Sequence, residues 1–155
     1  MAIPFTAINQ LVSGIPGEQA FDGPTRALAA LLNTTTEANN VFGRAFTYRD
    51  EAVESVQAGG TGLFAGIMIN PKAYLLDVGY ALNGTQAEFG FMGEWFVSLT
   101  TTGATIGDLI YFVNATGELG HGTAGAGQTQ IAGAVVSRHN VSPETPTLAV
   151  IRLTQ

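Results

Sequence analysis

From Val41 onward, short runs of apolar and β-branched residues are broken repeatedly by glycine, and no stretch sustains the 3.6-residue period of an amphipathic helix. A chain cut this way folds as short strands joined by tight connections. Clear candidate strands are Val41 to Tyr48, Leu63 to Ile69, Gly93 to Leu99, Leu109 to Val113, Gln130 to Ser137 and Leu148 to Leu153. Weaker ones are Val53 to Gln57, Tyr74 to Val78 and Ala87 to Phe91. Between them stand Gly59-Gly60-Thr61-Gly62, Asn83-Gly84, Thr102-Gly103, Thr116-Gly117 and the tract Gly120 to Gly127, which supply the positive φ that such turns require. That many strands in about 110 residues is the count of an all-β sandwich, a jelly-roll-like fold or a small barrel.

Residues 1–40 read differently. Ile3, Phe5, Ile8, Leu11 and Ile15 are scattered among Pro4, Gly14, Pro16 and Gly17 with neither a helical nor an alternating period, which describes an extended N-terminal arm. An arm of this kind buries its apolar groups by lying on the domain body or on another chain. Asp22-Gly23-Pro24 offers a cap and a first-turn proline ahead of Ala27, Leu28, Leu31 and Leu32, so one short helix is predicted there, ending at Asn33. The chain thus divides into an arm with a short helix, 1–40, and a β-domain, 41–155.

Both faces of Leu109-Ile110-Tyr111-Phe112-Val113 and of Leu148-Ala149-Val150-Ile151 are apolar, whereas a sheet with one solvated face alternates apolar with polar. Only 18 of the 155 residues are charged, 12% against roughly 25% in ordinary globular domains, so little charge is available to keep a large surface solvated. These features favour a homo-oligomer, a dimer or trimer, over a lone chain. Ile3, Phe5, Ile8 and Leu11 of the arm, with Ile110 and Phe112, are the expected partner or oligomer interface.

The same composition removes much chemistry. Twelve acids against six bases leave a net charge of −6, which argues against a nucleic-acid partner. No apolar run approaches the ~18–20 residues of a membrane helix, and the opening Met-Ala-Ile-Pro-Phe lacks the basic and apolar regions of a signal peptide. Without cysteine there is no disulfide, thiolate metal site or thiol nucleophile. Glu118-x-x-His121 has a metal-ligand spacing that works only on a helix, and it sits in a glycine tract. Gly60 to Ala65 and Gly120 to Gly125 match dinucleotide glycine patterns but lack the strand-then-helix context that receives a pyrophosphate. Glu51/Glu54 and Glu88/Glu94 belong to strand edges and turns. No cofactor, metal or catalytic residue is implied. Trp95 shares a strand face with Val97 and Leu99 and is expected in the core; an exposed aromatic platform there would instead suggest a carbohydrate-binding module.

Taken in order, Gly14-Ile15-Pro16-Gly17-Glu18, Phe42-Gly43-Arg44-Ala45, Phe64-Ala65-Gly66-Ile67, Gly107-Asp108-Leu109-Ile110-Tyr111 with Thr116-Gly117, Ile131-Ala132-Gly133-Ala134-Val135 and the terminal strand resemble the cement (decoration) proteins of tailed bacteriophages. The resemblance spans most of the chain and rests on order and spacing. It implies a non-enzymatic β-protein of the virion, made in the host cytoplasm. There it binds the major capsid protein on the outside of an icosahedral shell and stabilises that shell by bridging its subunits. Another virion component, such as a head fibre base or a tail protein, is the nearest alternative.

Overall fold

A computed structural model of the protein describes residues 14–71, 79–138 and 147–155. Among these the architecture is all-β, with nine strands: β1 (Arg26–Leu32), β2 (Ala45–Asp50), β3 (Ser55–Ala58), β4 (Phe64–Met68), β5 (Gln86–Ser98), β6 (Leu109–Val113), β7 (Leu119–His121), β8 (Gln128–Arg138) and β9 (Leu148–Thr154). Two single 3-10 turns, Glu37–Asn39 and Glu51–Val53, are the described helical pieces. The expected strand Tyr74 to Val78 lies outside the described residues.

The strands form one continuous sheet in the order β1-β3-β2-β4-β5-β9-β8-β6-β7, and a further pairing of β1 with β5 closes the first five into a barrel. Closure depends on the segment expected to be helical. Ala27, Leu28, Leu31 and Leu32 suit a helix, yet Arg26–Leu32 is strand β1, antiparallel to β5 over six residue pairs and parallel to β3 at Leu31 and Leu32. An isolated seven-residue helix does not repay its nucleation cost, whereas this strand acquires a ladder on β5 and turns Leu28, Ala30 and Leu32 into the barrel. Ala29 and Leu31 face outward.

β5 is the element that joins the two halves. Its 13 residues merge the expected strands Ala87 to Phe91 and Gly93 to Leu99, because Gly90 and Gly93 lie within the strand and do not end it. Gly90 is needed for packing: a Cβ there would lie 2.3 Å from the Trp95 ring. The first half of β5 borders the barrel, and its second half pairs with β9 from Met92↔Thr154 to Ser98↔Leu148. β9, β8, β6 and β7 then curl round until Leu119 of β7 bridges to Leu99, just past the end of β5. The second half is thereby drawn into a second, loosely closed barrel sharing β5 with the first.

This arrangement covers both faces of β9 within one chain, whereas on β6 the outward Leu109 stays exposed. Alternate residues of β2 and β4 point into different cores: Phe46 and Met68 into the first barrel, their neighbours Ala45 and Ile67 into the second. On β9, Ala149, Ile151 and Leu153 enter the second core, while Leu148 and Val150 pack outward with Phe96 beneath Ala20. Ile110 and Phe112, expected at an interface, are 0% and 1% exposed and belong to the second core. The correction follows from strand parity: they share the inward face of β6, and the outward positions are Leu109 and Tyr111. Trp95 is 3% exposed and packs with Val97 and Leu99, as its strand position predicts.

The polar loop after β1 also has a structural use. Thr34 and Asn40 are buried and, with Asn83, form a plug of hydrogen bonds. Asn40 Nδ2 donates to the Ala81 carbonyl (2.9 Å) and to Asn83 Oδ1 (3.0 Å), and Asn83 Nδ2 donates to the Thr34 carbonyl (2.8 Å). Thr34 Oγ1 donates to Asn40 Oδ1 and accepts from Ala58 N–H.

Candidate interaction surface

The arm positions Ile3, Phe5, Ile8 and Leu11 lie outside the described residues, but the segment that follows them is a strap around β5. Gly17 N–H donates to the Phe96 carbonyl (2.8 Å), Phe96 N–H to the Glu18 carbonyl (2.9 Å) and Ala20 N–H to the Glu94 carbonyl (2.8 Å). On its other side Gly17 accepts from Asn70 N–H at 2.9 Å, so the strap fills the wedge where β4 and β5 diverge. Only glycine suits position 17, with φ of +89° and the Met68 carbonyl oxygen 2.8 Å from any added Cβ. The chain then passes over β5 at Gly93, where a Cβ would lie 2.6 Å from Thr25, and becomes β1 on the opposite edge. Residues 14–20 therefore dock in cis.

The strap leaves Ile15 and Phe21 exposed. The Arg138 guanidinium stands 4.4 Å from the centroid of the Phe21 ring, a cation–π contact that holds the ring at the surface. Two shallow grooves flank the strap. One, of about 280 Å³, lies between Phe21–Thr25 and the Met92–Glu94 and Arg152–Thr154 stretches. The other, of about 720 Å³, runs between the strap and Ile69-Asn70-Pro71, with Glu88 and Trp95 among its lining residues.

A second exposed apolar point lies at the start of β6, where Ile106 is 66% and Leu109 49% exposed. Its shape is held by Asp108, whose carboxylate accepts from Thr105 N–H (2.9 Å) and Thr105 Oγ1 (2.7 Å) and meets His121 Nδ1 at 3.0 Å. The Thr105 backbone bond, then the Thr105 hydroxyl and His121, hold the Asp108 carboxyl below the usual carboxylate range. Val53, Leu63 and Leu82 are further exposed apolar side chains in the connections of the first barrel.

The other chemical candidates are pulled apart. His121 ends β7 and Glu118 immediately precedes that strand, but Glu118 Oε1 pairs with Arg44 Nη2 (3.1 Å) and His121 with Asp108. Glu88 and Glu94 are six residues apart along one strand, roughly 20 Å, too far to share a reacting atom. Gly60 to Ala65 runs from the β3–β4 connection into β4 and Gly120 to Gly125 runs from β7 towards β8, so neither glycine pattern opens a helix. Among the described residues no three His, Asp or Glu side chains gather as metal ligands. Phe21 and Ile106 were not singled out from sequence, while Ile15 and Leu109 were named only within the arm and the β6 run and not as interface residues; for Leu109 the available signal was strand parity relative to Ile110.

Comparison with known proteins agrees with the shape of this molecule. A family model described as structural cement protein (E217 gp24/Pam3 gp6) matches residues 3–154. A chain of the solved structure titled "The capsid of Myoviridae Phage XM1" superposes with a TM-score of 0.73 at 18% identity, covering 99% of each chain. At that identity the likeness speaks for the fold. No curated protein sequence matches.

Proposed function

This chain belongs to the phage structural cement protein family and has a structural role in the capsid, and from that premise we propose that it sits on the outer surface of an icosahedral shell and bridges neighbouring capsid subunits. The observation that carries this reading is the family match along nearly the whole chain, residues 3–154, which includes the arm as well as both barrels. The geometry suits the task. Two barrels sharing β5 present exposed apolar residues at separate points, the strap with Ile15 and Phe21 and the β6 entry with Ile106 and Leu109. Such points suit contacts with more than one neighbour.

Ile3, Phe5, Ile8 and Leu11, which precede the strap in sequence, supply apolar groups for docking on the shell or on a second copy. Phe5 alone would contribute ~1.5–3 kcal/mol on burial. A dimer or trimer assembled through these groups repeats each contact, and repetition over a shell raises a modest affinity by avidity. Binding of assembled over dissociated subunits stabilises the particle by mass action, without an enzymatic step or a cofactor. The protein is made in the host cytoplasm and ends on the virion exterior.

The test is to mix purified protein with undecorated shells of its phage, sediment them, and image the pellet by cryo-electron microscopy. Density at regular exterior positions spanning capsid subunits, with a raised shell disruption temperature, is the expected result. Density confined to the tail or to a single vertex would refute it in favour of a tail or head-fibre role.

A further inference from the structure

The seam that closes the second barrel is held in part by an ionisable group. β7 meets the chain leaving β5 through the Leu99–Leu119 bridge, with Thr100 N–H donating to the Leu119 carbonyl at 2.8 Å. Two residues further along β7, the His121 ring spans the same seam. Its Nδ1 lies 3.0 Å from Asp108 Oδ2 and its Nε2 3.3 Å from the Thr102 carbonyl oxygen. Both partners only accept. A backbone carbonyl has no proton, and the Asp108 carboxylate is kept ionised by its bonds from Thr105. A neutral imidazole carries one N–H and an imidazolium two, so the two contacts can both be hydrogen bonds only when the ring is protonated.

We propose that His121 is a proton-operated latch on this seam: as imidazolium it ties β7 to both Asp108 and Thr102, and on losing its proton it releases Thr102. The retained bond is the one to Asp108, because a charged acceptor makes the stronger partner. The Thr102 side of the seam then slackens, and with it residues 100–107, which present Ile106. Among the described residues Asp108 is the one charged group bonded to the ring. Residues 99–107 contain no ionisable side chain, and Glu118, just before β7, is engaged by Arg44. On β8 the uncharged amide of Gln130 donates to the carbonyl of Gly122, the residue after His121, at 3.3 Å. Histidine is the side chain whose charge ordinarily changes within the physiological pH range, so acid closes the latch and base opens it.

Hydrogen exchange of the full chain at pH 5.5 and pH 8, corrected for the intrinsic rate, tests this directly. Amides of residues 100–107 are expected to be roughly threefold to tenfold better protected at the lower pH, the worth of about one hydrogen bond. His121→Gln removes this dependence, whereas His139→Gln, which changes the only other histidine, leaves it intact. Ring-nitrogen NMR of the unmodified protein gives an answer independent of any variant: two N–H signals from His121 at pH 5.5 and one at pH 8 support the latch. Equal protection at both pH values, a dependence that survives His121→Gln, or a neutral ring at pH 5.5 over a protected loop overturns it.

Discussion

Ile110→Ala separates a core role from an interface role at a position where the two have opposite consequences. Ile110 is 0% exposed and packs in the second core. Truncation to alanine removes three carbons, a loss of about 2.4 kcal/mol at ~0.8 kcal/mol per buried methylene. A residual void of about 50 Å³ at ~24 cal/mol per Å³ adds about 1 kcal/mol, so the total cost is about 3–4 kcal/mol. β6 is hydrogen-bonded on both sides, to β7 and β8, so its backbone is poorly placed to collapse into the void. With a urea dependence of about 2 kcal/mol per molar, the unfolding midpoint should fall by roughly 1.5–2 M. Leu109→Ala, on the outward face, is expected to move it by less than about 0.5 M. The assay is equilibrium unfolding by tryptophan fluorescence, since Trp95 lies in the same core. A midpoint for Ile110→Ala within about 0.5 M of the parent, with attachment to shells abolished, would refute the core placement.

Other perturbations test the remaining parts. Ile106→Ser with Leu109→Ser should leave the melting temperature within a few degrees, ~3 °C, while weakening shell attachment in co-sedimentation by about tenfold; undiminished attachment removes the β6 entry from the docking surface. Gly17→Val forces a branched side chain onto φ of +89° beside the Met68 carbonyl and should cost about 2 kcal/mol or more by urea unfolding, an unchanged midpoint contradicting the wedged strap. The Asp108 carboxyl is held below its ordinary value, so it contributes stability above about pH 4 that is lost as the pH falls through the folded-state value; Asp108→Asn should flatten that part of the melting profile between pH 5 and pH 2, and an unchanged profile would count against the Thr105 cap. Deleting residues 1–12 should leave both barrels folded by circular dichroism and reduce attachment by about tenfold or more; unfolding would instead assign the arm to the core.

Where local pattern and tertiary environment agreed, the sequence was readable. Leu109 to Val113 has the same bounds in the structure, and the strands ending at Met68 and Thr154 lie within a residue or so of their expected ends. Arg26–Leu32 was not readable, because alanine and leucine at those spacings satisfy both periods and the choice is made by β5, some 60 positions downstream. β7 hides in a glycine tract since Gly120 is there to let the Tyr111 ring lie flat, its Cζ 2.3 Å from where a Cβ would be. The inference from two apolar faces to a second copy of the chain failed on β9, whose outer residues Leu148 and Val150 are covered by Phe96 and Ala20 of the same chain. Nothing local announces that one sheet will fold into two compartments with a common wall. Of the candidate surface, the arm was visible as unplaced apolar residues. The strap, the Phe21–Arg138 contact and the exposed Ile106 depend on contacts between residues distant in sequence.

That common wall has a mechanical meaning. Neither barrel has a complete set of staves without β5, and the strap crosses the strand at the point where its partner changes from β1 to β9. The halves should therefore melt in a single transition and lack the hinge that separates domains joined by a linker. Tension entering at the strap and leaving at the β6 entry runs along a continuous strand and loads its cross-strand bonds in shear, many at once, so they do not peel open one by one. A fastener spanning subunits that are pushed apart from within benefits from having no soft joint between its two ends.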